Sequence, residues 1–181
     1  MAERAWIRGA QNGSVAALSR HYGEPWPRAY RAARLVAGDA ATAEDIAQEA
    51  FLAAVRNLDR FDRRRPFGPW LHRIVVNRAI DWARARRLRS EVELGDHLPA
   101  PPAPEPDGDA LARIADLPPD HRAVVVLRYV LEYTPGEIAQ LLDLPRVTVN
   151  SRLRRGLDRM KEPRDTWGAR LGGRAAGLRG A

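Results

Sequence analysis

The sequence predicts an all-α protein: two small helical domains joined by a Pro-rich acidic linker, the C-terminal one a helix-turn-helix. Three observations carry this. Helical periodicity recurs along the chain while strand signals are scarce. Between Glu91 and Asp109 five prolines alternate with acidic residues, and no Lys or Arg interrupts them. Thr134 to Leu153 spells a short helix, a tight turn and a longer helix.

In chain order, Asn12-Gly13-Ser14 breaks a first short helix, and Ser14 can cap the next. Pro25 and Pro27 interrupt that one. Pro27 suits the first turn of a helix running to about Ala37, which Gly38-Asp39 ends. Thr42 is placed to cap a helix whose residues Ile46, Ala47, Ala50, Phe51, Ala54 and Leu58 share one apolar stripe. The next helix is expected to begin near Pro69 or Trp70 and to bury Leu71, Ile74, Val75 and Trp82. Beyond the linker helices resume at Leu111. Pro118-Pro119 punctuate, Asp120 caps, and an apolar face continues from Val124 to Tyr133. After Pro163 the chain is rich in Gly and Arg, which predicts a disordered tail. The expected domains are therefore 1–90 and 110–162, with 91–109 as linker and 163–181 as tail.

Charge narrows the function. The 181 residues carry a formal net charge of +7, which favours a polyanionic partner. Cys is absent, so disulfides, Cys-ligated zinc and thiol redox chemistry are excluded. The four His residues are scattered and fit no metal-ligand spacing, so no metal, cofactor or catalytic residue is predicted, and the chain is not expected to be an enzyme. Apolar runs such as Ala123 to Leu127 fall far short of the ~20 residues a membrane helix needs. The first residues have no hydrophobic signal core, so a cytoplasmic protein without membrane insertion is expected.

The richest segment is Arg60 to Arg89. It holds a basic loop (Arg63, Arg64, Arg65), two aromatic residues beside it (Phe67, Trp70), and a helix studded with Arg whose one carboxylate is Asp81. Cations neutralise phosphates, and aromatic faces stack on bases that have left a duplex. Flipping a base costs a few kcal/mol, and stacking recovers roughly 1–3 kcal/mol, so a pocket in the Arg63–Phe67 loop can about balance one flipped base. Trp70 sits at a helix start, where core and stacking roles compete, and Trp82 reads as core.

In the C-terminal part, Thr134-Pro135-Gly136-Glu137 is a helix start with a capping box. Asp143-Leu144-Pro145 forms the turn, and the second helix buries Val149, Leu153, Leu157 and Met160. A recognition helix enters the major groove N-terminus first. Arg146, Thr148, Asn150 and Ser151 are thus candidates for base edges, and Arg152, Arg154 and Arg155 for phosphates. The helix from Thr42 has a second face of Glu44, Asp45, Gln48, Glu49 and Leu52. On a basic, nucleic-acid-binding chain this face would repel phosphates and is better placed against a protein.

Five runs then carry a resemblance: Ala43 to Phe51, Pro69 to Asp81, Leu117 to Arg122, Tyr133 to Ala139 and Pro145 to Leu153. In this order, split by a linker, they resemble the extracytoplasmic-function group of bacterial sigma factors, sigma-70 family, from about Ser14 to Lys161. The resemblance implies that the two domains dock on core RNA polymerase, on its beta and beta-prime subunits, and read two promoter elements. The acidic-Gln helix (Glu44, Asp45, Gln48, Glu49, Leu52) would bind the clamp coiled coil of the largest subunit. The loop from Arg60 to Pro69 would receive a flipped base of the minus-ten element. His72, Arg73, Asn77, Asp81 and Arg84 would face the same DNA, and the helix-turn-helix would read the minus-thirty-five element. A cognate anti-sigma factor is a further partner the resemblance admits. The chain departs from the family pattern at Asp143, where Gly is usual, and at Val147 and Asn150, where Gly and a basic residue are usual. Asp tolerates the left-handed conformation better than most residues, so the turn is expected to survive.

About 20 extended linker residues at ~3.1 Å each span ~60 Å. With the width of each domain added, that suffices for promoter elements two helical turns (~70 Å) apart. Its acidity suits threading a basic channel, and the resemblance implies passage through the polymerase cleft. The rival reading is a helix-turn-helix regulator that works without polymerase. It explains the net charge, but not the acidic-Gln face or the aromatic loop.

Overall fold

The computed structural model describes residues 7–9, 11, 25–62, 64–93 and 108–162. All regular structure among these residues is helical. Ser14, the linker interior (94–107) and the tail from 163 onward lie outside the described residues, so the expectations placed on them stay expectations.

Helix α1 (Pro25–Ala37) packs on α2 (Ala40–Arg56) and α3 (Phe67–Glu93), and a 3₁₀ turn (Leu58–Arg60) leads out of α2. The second group is α4 (Gly108–Ala115), α5 (Pro119–Tyr129), α6 (Pro135–Leu142) and α7 (Arg146–Lys161). Within it α7 packs on α4, α5 and α6. The buried face of α2 is nearly all alanine (Ala43, Ala47, Ala50, Ala54) with Ile46, which lets it approach its neighbours closely. Leu71, Val75, Val76, Ala79 and Ile80 form the matching stripe of α3.

The two groups touch. Helices α1 and α3 both pack against α5, and α3 also meets α6. One hydrophobic cluster runs from Val36 and Val75 through to Val124, Leu127 and Ile138.

Several helix boundaries differ from the sequence reading. Asp39, not Thr42, caps α2: its side chain accepts from the Thr42 N–H at 2.8 Å. Asp lies three residues before that N–H, the reach an N-cap requires. Helix α3 starts at Phe67 rather than Pro69, because Pro69 falls in the first turn, where backbone N–H groups need no helical partner. It also runs on to Glu93, and α4 begins at Gly108, so helix extends into both ends of the expected linker. Asp120 does not cap α5; Pro118 stands at the N-cap without a side-chain bond. Phe51, Ile74, Trp82, Leu157 and Met160 are only half-buried.

Gly38 ends α1 with φ of +94°. Its N–H donates to the Arg34 carbonyl at 2.9 Å. A Cβ there would lie 3.3 Å from Nη1 of Arg122. Gly38→Ala is expected to cost about 1–2 kcal/mol, because a left-handed backbone now carries a Cβ that also crowds a buried guanidinium. Urea denaturation of the two proteins side by side measures it.

Candidate protein and nucleic-acid interfaces

Helix α2 separates its two chemistries cleanly. Glu44, Asp45, Gln48, Glu49 and Leu52 are all exposed, opposite the alanine face. Leu52 is 52% exposed, a large apolar side chain held in solvent amid carboxylates. Gln48 Nε2 donates to Glu44 Oε1 at 3.2 Å, and Glu49 lies 4.0 Å from Arg78 of α3. The structure therefore gathers all five predicted residues into one solvent-facing strip.

The loop between α2 and α3 is ordered by Asp62. Its Oδ1 accepts from the Arg64 N–H at 3.0 Å, and its carbonyl accepts from the Arg65 N–H at 2.9 Å. The side chains of Arg64 and Arg65 are exposed; Arg63 lies outside the described residues. Phe67 is 2% exposed. It belongs to a cluster with Phe61 and Trp70, whose centroids are 5.7 and 5.5 Å from its own. The ring that the sequence offered as a stacking face is part of the core here, because burying a phenyl ring stabilises a small domain more than exposing it. Trp70 is half-buried on the edge of the same cluster.

Along α3, Arg73, Asp81 and Arg84 are exposed and Asn77 is half-buried. His72 behaves otherwise. It is 4% exposed, and its Nδ1 lies 2.7 Å from the Tyr133 hydroxyl. Burial, aided by the Arg28 cation, pushes the ring down to about 4, so it is neutral at physiological pH. Burial likewise drives Tyr133 up to about 12. His72 thus joins α3 to the α5–α6 loop and presents nothing to solvent.

The helix-turn-helix forms as the spacing predicts. Thr134 caps α6 with a reciprocal capping box, and hydrogen bonds from Thr134 hold the Glu137 carboxyl below its usual range. Asp143 adopts the left-handed conformation at φ 54°, taking the place of glycine in the turn. On α7, Arg146, Asn150, Arg154 and Arg155 are exposed, while Thr148, Ser151 and Arg152 are half-buried. Val149 and Leu153 face inward.

Sequence reasoning missed the groups that join the two halves. Arg122 donates from Nη1 to the Val36 carbonyl at 2.9 Å, and from Nη2 to the carbonyls of Ala115 and Leu117. Burial pulls its guanidinium down to about 10, with Asp116 opposing and Arg86 adding to the shift. Arg28 Nη2 reaches the Leu131 carbonyl at 3.3 Å. Asp120 bonds Arg84 Nη2 at 2.6 Å and Arg152 Nη1 at 3.2 Å. An arginine set just before an uninterrupted valine run was the one local signal, and it marked Arg122.

No group of His, Asp or Glu suited to a metal ion occurs among the described residues, and no described helix is long and apolar enough to cross a membrane.

Comparison with known proteins agrees with this arrangement. The Sigma-70 region 2 family matches residues 25–89, and the Sigma-70 region 4 family matches residues 108–160. The ECF RNA polymerase sigma factor SigW of Bacillus subtilis is 36% identical over 143 residues, covering 69% of this chain and 76% of SigW. SigL of Mycobacterium tuberculosis, also an ECF RNA polymerase sigma factor, is 34% identical over 158 residues, covering 82% of this chain and 89% of SigL. Among solved structures, CnrH in complex with the cytosolic domain of CnrY superposes with a TM-score of 0.66 at 27% identity, covering 88% of this chain and 95% of CnrH. Two Sigma-70 family matches in the expected order, on the two helical groups, together with ECF relatives at 36% and 34% identity, show the family: the chain belongs to the ECF sigma factors of RNA polymerase.

Proposed function

We propose that this sigma factor binds core RNA polymerase through the exposed strip of α2, carries it to promoters through α3 and α7, and helps to melt the minus-ten element. The observation that supports this most is the segregation of charge. A chain of net charge +7 sets four polar residues, three of them acidic, and a bare leucine on one face of α2, whose single arginine, Arg56, stands in its last turn, while the other exposed arginines lie on other elements. Carboxylates facing a protein and guanidinia facing phosphates is the division that a three-way complex of polymerase, factor and DNA demands. A polymerase-independent regulator leaves the acidic strip without a task.

In this reading 1–90 serves the minus-ten element and 110–162 the minus-thirty-five element, the acidic linker between them lying along the polymerase cleft. Base edges upstream meet Arg146, Thr148, Asn150 and Ser151, and phosphates meet Arg152, Arg154 and Arg155. Downstream, Arg63, Arg64 and Arg65 rim the site of the flipped base, and Trp70 offers the ring edge that Phe67, sealed in the core, does not. Arg73, Asn77, Asp81 and Arg84 line the same DNA once it is bound. The work is done in the cytoplasm, where polymerase and promoter are. CnrH was solved in complex with the cytosolic domain of CnrY, and an anti-sigma partner of this chain belongs to the same proposal.

Run-off transcription with core polymerase and a library of genomic fragments tests the function and returns the promoter motif. Discrete transcripts are expected only when both proteins are present. Absence of co-elution with core polymerase at every ionic strength would overturn the reading.

A further inference from the structure

We propose that Asp120 is an internal competitor for DNA, a carboxylate that stands in for phosphate and holds the two promoter-reading helices together until nucleic acid displaces it. The proposal rests on the reading of α3 and α7 as DNA-facing elements. Asp120 takes a guanidinium from each. Arg84 of α3 grips it with both ends of its fork, Nη2 to Oδ1 at 2.6 Å and Nε to Oδ2 at 3.4 Å. Arg152 of α7 binds the same Oδ1 at 3.2 Å. A carboxylate and a phosphate present the same paired acceptors to an arginine fork, so each can replace the other.

Local structure does not demand an acid at this position. The residue sits in the first turn of α5 but supplies no capping bond, since Pro118 occupies the N-cap. Its favourable place near the helix N-terminus would be as well served by any exposed acid. Its distinctive feature is the pair of arginines from two sequence-distant helices.

The consequence is geometric. With Arg84 and Arg152 on one oxygen, the two reading surfaces sit side by side. Promoter elements two helical turns apart lie ~70 Å from each other, which this arrangement cannot span. DNA binding at both elements therefore requires α5 and α7 to part from α1 and α3. Parting them opens the apolar seam where Val36 and Val75 meet Val124, Leu127 and Ile138, and breaks the polar contacts at its margin: the Asp120 pairs, His72 with Tyr133, Arg28 with the Leu131 carbonyl, and Arg122 with the Val36 carbonyl. Opening is thus coupled to DNA affinity, and by linkage whatever weakens the closed form strengthens binding.

The test uses the full chain, which has no native Cys to interfere with labelling. Donor and acceptor dyes go on Asp59→Cys and Gln140→Cys, both exposed and outside the proposed interfaces. Asp120→Asn is compared with Asp158→Asn, which removes the same charge from an exposed site on α7. The probe is a random-sequence DNA duplex at low salt. Asp120→Asn is expected to lower energy transfer in the free protein and to tighten duplex binding about fivefold, the effect of two partly exposed ion pairs. Asp158→Asn should leave transfer unchanged and alter binding by less than about twofold. Tighter binding by Asp120→Asn with unchanged transfer would mean that the carboxylate acts only through its field, and would overturn the proposal. So would no change in either. Should Asp120→Asn fail to fold, the labelled wild type decides: transfer must fall as duplex is titrated in, and duplex binding at constant transfer overturns the idea. Run-off transcription by the wild type, measured alongside, shows whether the underlying functional reading itself stands.

Discussion

Replacing Asp45 and Glu49 together by lysine is expected to weaken binding to core RNA polymerase about 100-fold. Each reversal turns an attractive charge contact into a repulsive one. Close charge pairs across interfaces couple by about 1.5 kcal/mol or more, so two of them reach ~3 kcal/mol, a factor of ~100 in Kd. The fold should be unaffected. Both side chains are exposed, opposite the alanine face of α2. The one ion pair lost, Glu49 with Arg78, is long at 4.0 Å and solvent-exposed on both sides, a class of pair that adds little stability. Fluorescence anisotropy of labelled protein against core polymerase measures the affinity, and circular dichroism the melting temperature. An unchanged Kd would remove α2 from the docking surface. A fall in melting temperature by more than about 5 °C would mean that the strip supports the fold after all.

How much of this could be read from the chain depended on how far apart the interacting groups stand. The capping box of Thr134 and Glu137 and the left-handed Asp143 are decided within a few residues, so the helix-turn-helix and its turn were legible, although Leu157 and Met160, expected inside, are only half-buried. The acidic strip of α2 was legible too, because a 3.6-residue period assigns faces without knowledge of what covers them. Phe67 was misplaced because a core and a stacking platform both call for an aromatic ring, and only its neighbours Phe61 and Trp70 decide between them. Asp120 after two prolines has the local grammar of a cap, yet its partners lie 36 and 32 positions away along the chain, at Arg84 and Arg152. His72 and Tyr133, 61 residues apart, meet only because the two helical groups close on each other. Periodicity predicts that a face is buried; it does not say which helix buries it, and the polar groups stitched across such a seam are invisible until the seam exists.

That seam makes a second large effect measurable. Acidification from pH 6.5 to pH 4 is expected to remove about 3 kcal/mol of stability through His72 alone. Its ring falls to about 4 in the folded protein from an ordinary 6.5, chiefly through burial and secondarily through Arg28. Between those values the unfolded chain binds a proton that the folded chain does not. Stability therefore falls as pH drops through this window, and the loss is complete below about pH 4, at ~1.36 kcal/mol for each pH unit. The tautomer decides the direction of the hydrogen bond: a protonated Nδ1 donates to the Tyr133 oxygen, and a bare Nδ1 accepts from the Tyr133 hydroxyl. In either case the doubly protonated ring carries an Nε2–H with no partner among the described residues. His72→Phe keeps a ring in the site and cannot titrate. At pH 7 it should cost about 1 kcal/mol for the lost bond to Tyr133. By pH 4.5 it should equal or exceed the wild type, because the wild type has by then lost about 2–3 kcal/mol that the variant keeps. Carboxylates titrate in both proteins alike and cancel in the difference. Urea denaturation at intervals from pH 7 to pH 4.5 gives the two curves. If they stay parallel, His72 is not held neutral across the seam.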